Sequence, residues 1–184
     1  MMERNKMGMI LFLLSEAVFF LLLILAYAFY HTSGELGTQA ANALDVVKSA
    51  LFSVALLSSS ITLWQADVCL KSGGRSQARL LLAATILLGL IFLIGQGTEY
   101  AHLLREHVTI SRNLFGTTFF TLTGFHGLHV AVGLALLLIL LGLAVIGTSR
   151  EPTSLAMEAI SFYWHFVDGV WVVIFAVVYL WGYV

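Results

Sequence analysis

Five long stretches of this 184-residue chain run between charges with almost none inside them, and that spacing limits every fold open to it. Met7 to Tyr30 carries only Glu16, Ser49 to Ala66 lies between Lys48 and Asp67, and Leu80 to Thr98 lies between Arg79 and Glu99. Asn113 to Ser149 holds no Asp, Glu, Lys or Arg, and Ala159 to Val184 holds only Asp168. A helix needs about 20 mainly apolar residues to cross a hydrocarbon core of roughly 30 Å, which each stretch provides. Closed barrels need short alternating strands, unlike these continuous runs. The fourth stretch has no internal turn signal and reads as one tilted helix. The expectation is an all-α polytopic transmembrane bundle of five helices in a single domain, spanning about residues 7–30, 49–66, 80–98, 115–146 and 159–183.

Composition agrees and removes other classes. Hydrophobic residues make up 60% of the chain and charged ones 10%, whereas a soluble domain is nearer a quarter charged. A net charge of −1 with no basic block excludes a nucleic-acid partner. The lone Cys69 cannot form an internal disulfide or a thiolate-bridged copper centre. Arg4, Lys6, Lys71, Arg75, Arg79 and Arg150 fall on one side, and Lys48, Arg105 and Arg112 on the other. The positive-inside rule then places the amino terminus in the cytoplasm and the carboxyl terminus outside. The first span is too long for a signal-peptide core and lacks a small-residue cleavage site, so it is expected to be retained.

Ionisable residues inside the spans carry the most information, because a charge at mid-bilayer costs about 3 kcal/mol even on the lenient insertion scale. Glu16 lies about 13 Å past Met7, Asp168 about 15 Å past Glu158, and His126 about 16 Å past Phe115 at 1.5 Å rise per residue. His126 and His129 share a helical face at i, i+3, as do His165 and Asp168. Trp164, Asp168 and Trp171 form a second stripe on the last helix. The expectation is a buried polar cluster of Glu16, His126, His129, His165 and Asp168, with Asp168 orienting the His165 ring. Two roles remain open for it: hydrogen-bonded ties between helices, or a proton or lipid site. Gly116, Gly124, Gly127, Gly133 and the Ser58–Ser60 run read as close-approach positions, and Tyr179, Trp181 and Tyr183 as an interfacial aromatic belt. Arg105, His107 and Arg112 read as solvated. A metal set or a b-type haem held by His126 or His129 with His165, and a proton or solute carrier built on Glu16, are the rival classes.

At these residues the chain resembles subunit III of the haem-copper respiratory oxidases. Gly8-Met9-Ile10-Leu11-Phe12 with Ser15-Glu16 and Phe19-Phe20 is similar to that family's G-M-I-L-F-x-x-S-E-x-x-F-F helix. Gln96, Glu99 and Tyr100, then Thr109-Ile110-Ser111 and Gly116-Thr117-Thr118-Phe119-Phe120, match its central region. Thr123-Gly124-Phe125-His126-Gly127-Leu128-His129-Val130 resembles the T-G-F-H-G-x-H-V signature, and Tyr163-Trp164-His165-Phe166-Val167-Asp168 with Trp171 the last helix. The matches run in order over nearly the whole chain.

The resemblance implies a subunit of the bacterial cell membrane with no catalytic residue, metal or redox cofactor of its own. It would pack on the catalytic subunit I, beside the copper-bearing subunit II, with haem and copper held by those partners. It would also bind phospholipid, sustain proton uptake and protect the enzyme during turnover, and a respiratory supercomplex is a further partner. Glu16 corresponds to the family's carbodiimide-reactive carboxylate. Ser15, Gln96, Glu99, Tyr100, Gly124, Gly127, Trp164 and Trp171 are implied to be structural. The Ser-Glu pair favours cytochrome c as electron donor, with a quinol oxidase or a nitric oxide reductase accessory protein as alternatives. Many relatives have seven helices, and this chain starts where their third would, so their lipid cleft is not expected within it. Arg112-Asn113-Leu114-Phe115 departs from the mitochondrial pattern.

Overall fold

A computed structural model describes residues 2–32, 44–111, 114–146 and 150–181, without the side chains of 2–6 and 150–155. Arg112, Asn113 and Tyr183 therefore lie outside the described residues. Among the described residues five helices form: α1 (Met2–Thr32), α2 (Val46–Lys71), α3 (Arg75–Arg105), α4 (Leu114–Ile146) and α5 (Arg150–Phe175). The last turn of α5 widens into a π-helical segment at Ala176–Leu180. All five are long and apolar enough to cross a membrane, and no strand occurs among the described residues.

α2 and α3 make the most extensive pairing, and their sequences explain why. Ser49, Leu56, Leu63 and Leu70 recur every seven residues on α2, as do Leu82, Gly89, Gln96 and Leu103 on α3, and all eight are buried. A seven-residue repeat keeps one seam facing its partner along both helices. Ser72, Gly73 and Gly74 join them. The Gly74 amide donates to the Cys69 carbonyl at 2.9 Å and that of Gly73 to Leu70 at 3.2 Å, with Gly73 at φ +91°. These two bonds close the exposed carbonyls of the helix end, and the left-handed residue between them favours glycine. α3 ends the same way with His107 at φ 60°, its Val108 amide reaching Leu103 at 3.0 Å. His107, read from sequence as an ordinary solvated loop residue, is thus the reversal point of a helix cap.

α4 and α5 complete the centre, each packing on the other, with α3 against α4 and α2 against α5. α1 lies on α4 and α5 and leaves most of its surface outward, including Leu11, Leu14, Val18, Leu22 and Phe29. Outward apolar side chains suit a lipid environment, where association of helices depends on close packing and hydrogen bonds. Close packing falls on Gly133, as expected, and on Gly89 and Gly95, which the sequence did not single out. A Cβ on Gly133 would sit 2.7 Å from the Trp164 ring and one on Gly89 2.9 Å from it. One on Gly95 would collide with Phe52. Gly124 and Gly127 have their nearest neighbours at 3.7 and 3.9 Å, so they leave room for a methyl group.

Candidate functional site

The polar residues at mid-bundle fall into three separate environments. On the α1–α4 seam, Glu16 Oε2 lies 2.9 Å from His129 Nε2, and His129 Nδ1 lies 2.7 Å from the Phe125 carbonyl. A carbonyl only accepts, so Nδ1 carries a proton. Nε2 and Oε2 then need one further proton between them, whether written as acid with imidazole or as carboxylate with imidazolium. Both forms have the same proton count and no net charge, which lowers the cost of placing the pair among apolar helices. Tyr163 donates to the His129 backbone carbonyl at 3.1 Å. Ser15 turns its hydroxyl to the Phe12 carbonyl at 2.7 Å and stays on the outer surface. Beside the pair a groove of about 470 Å³ is walled by Met9, Phe12, Val132, Ile160 and Tyr163.

His126, one turn before His129, is fully buried, and neither ring nitrogen has a hydrogen-bond partner. Its ring stacks on Trp171 with centroids 4.8 Å apart, and Phe92 and Phe20 meet it edge-on at 5.9 and 6.3 Å. It therefore sits in an aromatic box, joined by no hydrogen bond to the other four residues expected to cluster with it.

The third environment lies between α2 and α5. Ser60 Oγ is 2.9 Å from His165 Nδ1 and is also hydrogen-bonded to Asp168 Oδ2. His165 and Asp168 thus meet through a serine of another helix rather than directly. Asp168 is 3% exposed, and its Oδ1 has no partner. Two serines of α2 also accept indole donors, Ser59 within the serine run and Ser53 before it. Trp164 Nε1 donates to Ser59 Oγ at 2.9 Å, and Trp171 Nε1 to Ser53 Oγ at 2.8 Å. Burying an indole N–H requires such an acceptor, and two tryptophans facing a serine-rich helix was the available signal.

Nearer the far end of α3, Glu99 Oε2 accepts from Ser49 at 2.8 Å and from Tyr179 at 2.7 Å. Tyr179 is 2% exposed, so it belongs to the bundle interior and not to an interfacial belt, whereas Trp181 is 41% exposed. Gln96 is buried one turn before Glu99, and Tyr100 is 2.7 Å from the Thr123 hydroxyl.

The rival haem reading does not fit this arrangement. His126 is enclosed by rings, both His129 nitrogens are engaged, and His165 Nδ1 is turned to Ser60. Among the described residues no three of His, Cys, Asp and Glu assemble as a metal-ligand set.

Comparison with known proteins gives one answer over the full length. The family model for cytochrome c oxidase subunit III matches residues 1–183. The chain is 36% identical to cytochrome c oxidase subunit 3 of the cyanobacterium Synechocystis sp., over 97% of its own length and 76% of that protein. It is 41% identical to the same subunit of Latimeria chalumnae and 37% identical to that of Branchiostoma lanceolatum, in each case over 96% of this chain and 69% of the relative. With five helices able to span a bilayer and a cyanobacterial relative, it is a multi-pass protein of a bacterial membrane, in a family that assembles with other oxidase subunits. This chain belongs to the cytochrome c oxidase subunit III family.

Proposed function

We propose that the chain is the non-catalytic subunit III of a bacterial terminal oxidase that accepts electrons from cytochrome c. In this reading it packs on subunit I in an assembly with subunit II, with its amino terminus in the cytoplasm. Its work is to hold lipid against the assembly and to sustain proton uptake through many turnovers. The observation that carries the reading is the Glu16–His129 bond on the α1–α4 seam. A neutral, proton-sharing pair fastens the most peripheral helix to the bundle without leaving a bare charge in the membrane. The groove beside it is apolar and suits an acyl chain, and Arg4 and Lys6 precede it in sequence at the end where a phosphate headgroup would lie. Glu99, Tyr179 and Ser49 brace the opposite end. The cytochrome c assignment rests on Ser15-Glu16 and on the relatives' names.

The test is purification of the tagged chain from its native membrane in mild detergent, followed by turnover measurements. A haem-bearing large subunit should co-purify and oxidise reduced cytochrome c. Glu16→Ala should leave haem content unchanged but shorten the active lifetime during turnover, and Glu16→Gln, which retains a donor for His129, should fall between. Turnover with quinol alone would move the assembly to the quinol-oxidising branch. A colourless chain without partners, or an unchanged lifetime in Glu16→Ala, would overturn the proposed role.

A further inference from the structure

The α2–α5 seam holds chemistry that a purely structural tie does not require. Ser60 has one hydroxyl proton and stands between two titratable groups, His165 Nδ1 at 2.9 Å and Asp168 Oδ2. The three side chains differ sharply in access: Asp168 is sealed within the bundle, whereas His165 is exposed on its outer face. His165 is nine residues beyond Ala156, the first residue of the spanning part of α5, or about 13 Å into the membrane. We infer that His165, Ser60 and Asp168 form a proton relay connecting the buried Asp168 carboxyl with the outer face of α5.

Two proton arrangements satisfy the same heavy atoms. In one, Asp168 is a carboxylate, Ser60 donates to its Oδ2, and His165 Nδ1–H donates to Ser60 Oγ. In the other, Asp168 is an acid donating to Ser60, Ser60 donates to His165 Nδ1, and the histidine proton sits on Nε2. A proton taken up at Nε2 converts the first into the second. The Nδ1 proton passes to Ser60 Oγ, and the serine's own proton passes to Asp168 Oδ2. Every proton is accounted for: two before uptake and three after, and only the histidine tautomer and the Asp168 charge have changed.

The surroundings support the neutral end state. Asp168 Oδ1 is buried with no donor, which suits the carbonyl oxygen of an acid better than half of a carboxylate. The titratable groups on the elements packed against α5 leave Asp168 to Ser60. Glu16 and His129 are bonded to each other on α1 and α4, and His126 is boxed by rings. On α2, Asp67 acts electrostatically on His165 and is bonded to Lys71 at 2.5 Å. Asp67 lies toward the same end of the bundle as the start of α5, where a proton would enter if that end faces the cytoplasm. The relay deepens the proposed role in proton uptake and rests on that reading for its physiological use.

The experiment uses the intact purified oxidase. Its protonated-carboxyl infrared band is followed after transfer to D2O, and the Asp168 contribution is identified by its loss in Asp168→Asn. Asp168→Glu, which keeps an acid and moves the band, serves if that variant does not assemble. The band should exchange rapidly in the natural protein. It should slow by at least about tenfold in Ser60→Ala and His165→Phe, where exchange waits on local opening of the seam. Ser60→Thr should restore the rate. Equal exchange in Ser60→Ala and the natural protein would overturn the relay, as would the absence of any Asp168 acid band across the pH range in which the oxidase stays intact. Either result leaves the Glu16 lifetime test untouched, so the two readings fail separately.

Discussion

The α2–α5 and α1–α4 seams bury polar groups at similar depth but in opposite styles. Along α2–α5 the bonds are distributed: Ser53 and Ser59 each receive an indole N–H, and Ser60 serves two partners. Along α1–α4 the polar tie is concentrated in Glu16–His129, surrounded by ring contacts such as Phe19–Phe125 at 5.1 Å and Phe20–His129 at 4.9 Å. Distributed weak bonds tolerate loss of any one member, whereas a concentrated bond makes a single proton decisive. The difference suggests a division of labour in which α2–α5 holds the bundle and α1 is the helix whose attachment can respond to protonation.

The largest expected effect tests the packing beneath the first seam. Trp164 lies between Ser59 and the two close-approach glycines, and a Cβ on Gly133 would fall 2.7 Å from its ring. Gly133→Val should reduce stability by about 1–3 kcal/mol, the usual result of overpacking a filled interior. Gly127→Ala, with its nearest neighbour at 3.9 Å, should be close to neutral. Thermal inactivation of the purified oxidase carrying each variant decides this. Equal losses would mean that glycine spacing on α4, not the Trp164 contact, controls assembly.

A smaller effect separates the seams directly. Ser53→Ala or Ser59→Ala should cost about 0.6 kcal/mol, and no more than about 1.7, the range found for hydrogen bonds between membrane helices. The loss should be shared by α2 and α5. Glu16→Ala removes a bond of similar size but should raise amide hydrogen exchange in α1 alone, because that helix is held on one side of the bundle. Exchange rising equally in every helix of the Glu16 variant would break the comparison.

Much of this arrangement was legible in the chain, and the gaps have physical causes. Apolar stretches bounded by charges identify helices because the bilayer sets their length, so five spans could be read directly, and the described residues hold five helices long enough to cross a membrane. Depth along a helix could also be read, which is why Glu16, His126 and Asp168 were singled out. Rotation about the helix axis could not. His126 and His129 share a face loosely enough that one enters an aromatic box and the other reaches α1. The bonding of the α2 serines could not be read, because their partners, Trp164, Trp171, His165 and Asp168, lie more than 100 residues away in sequence. Tyr179 was assigned to the interface by its distance from the chain end, yet it is buried and reaches Glu99 inside the bundle. His107 showed no signal, since a non-glycine residue at a helix reversal is identified by its backbone angle.

The smallest effect lies where α2 meets water. Asp45 caps that helix, its Oδ1 accepting from the Lys48 amide at 3.1 Å, and this bond holds its carboxyl below the ordinary value of 3.8. A carboxyl depressed on folding contributes stability above its unfolded value and loses it as pH falls through the folded one. The contribution should therefore be full at neutral pH, begin to decline near the ordinary carboxylate value and vanish below it. Asp45→Asn keeps a capping oxygen but cannot titrate. The natural protein should hold a slight stability advantage at neutral pH that disappears in acid and shrinks with added salt, because an exposed charge at a helix end is screened. Ser59→Ala should show neither dependence, since both partners in the Ser59–Trp164 bond are neutral and buried. Melting the three proteins over the acid range, at low and high salt, separates a contribution made at the aqueous end of α2 from one made inside its seam. A Ser59 effect that followed salt or pH would place water in the seam and remove the distinction on which the distributed network depends.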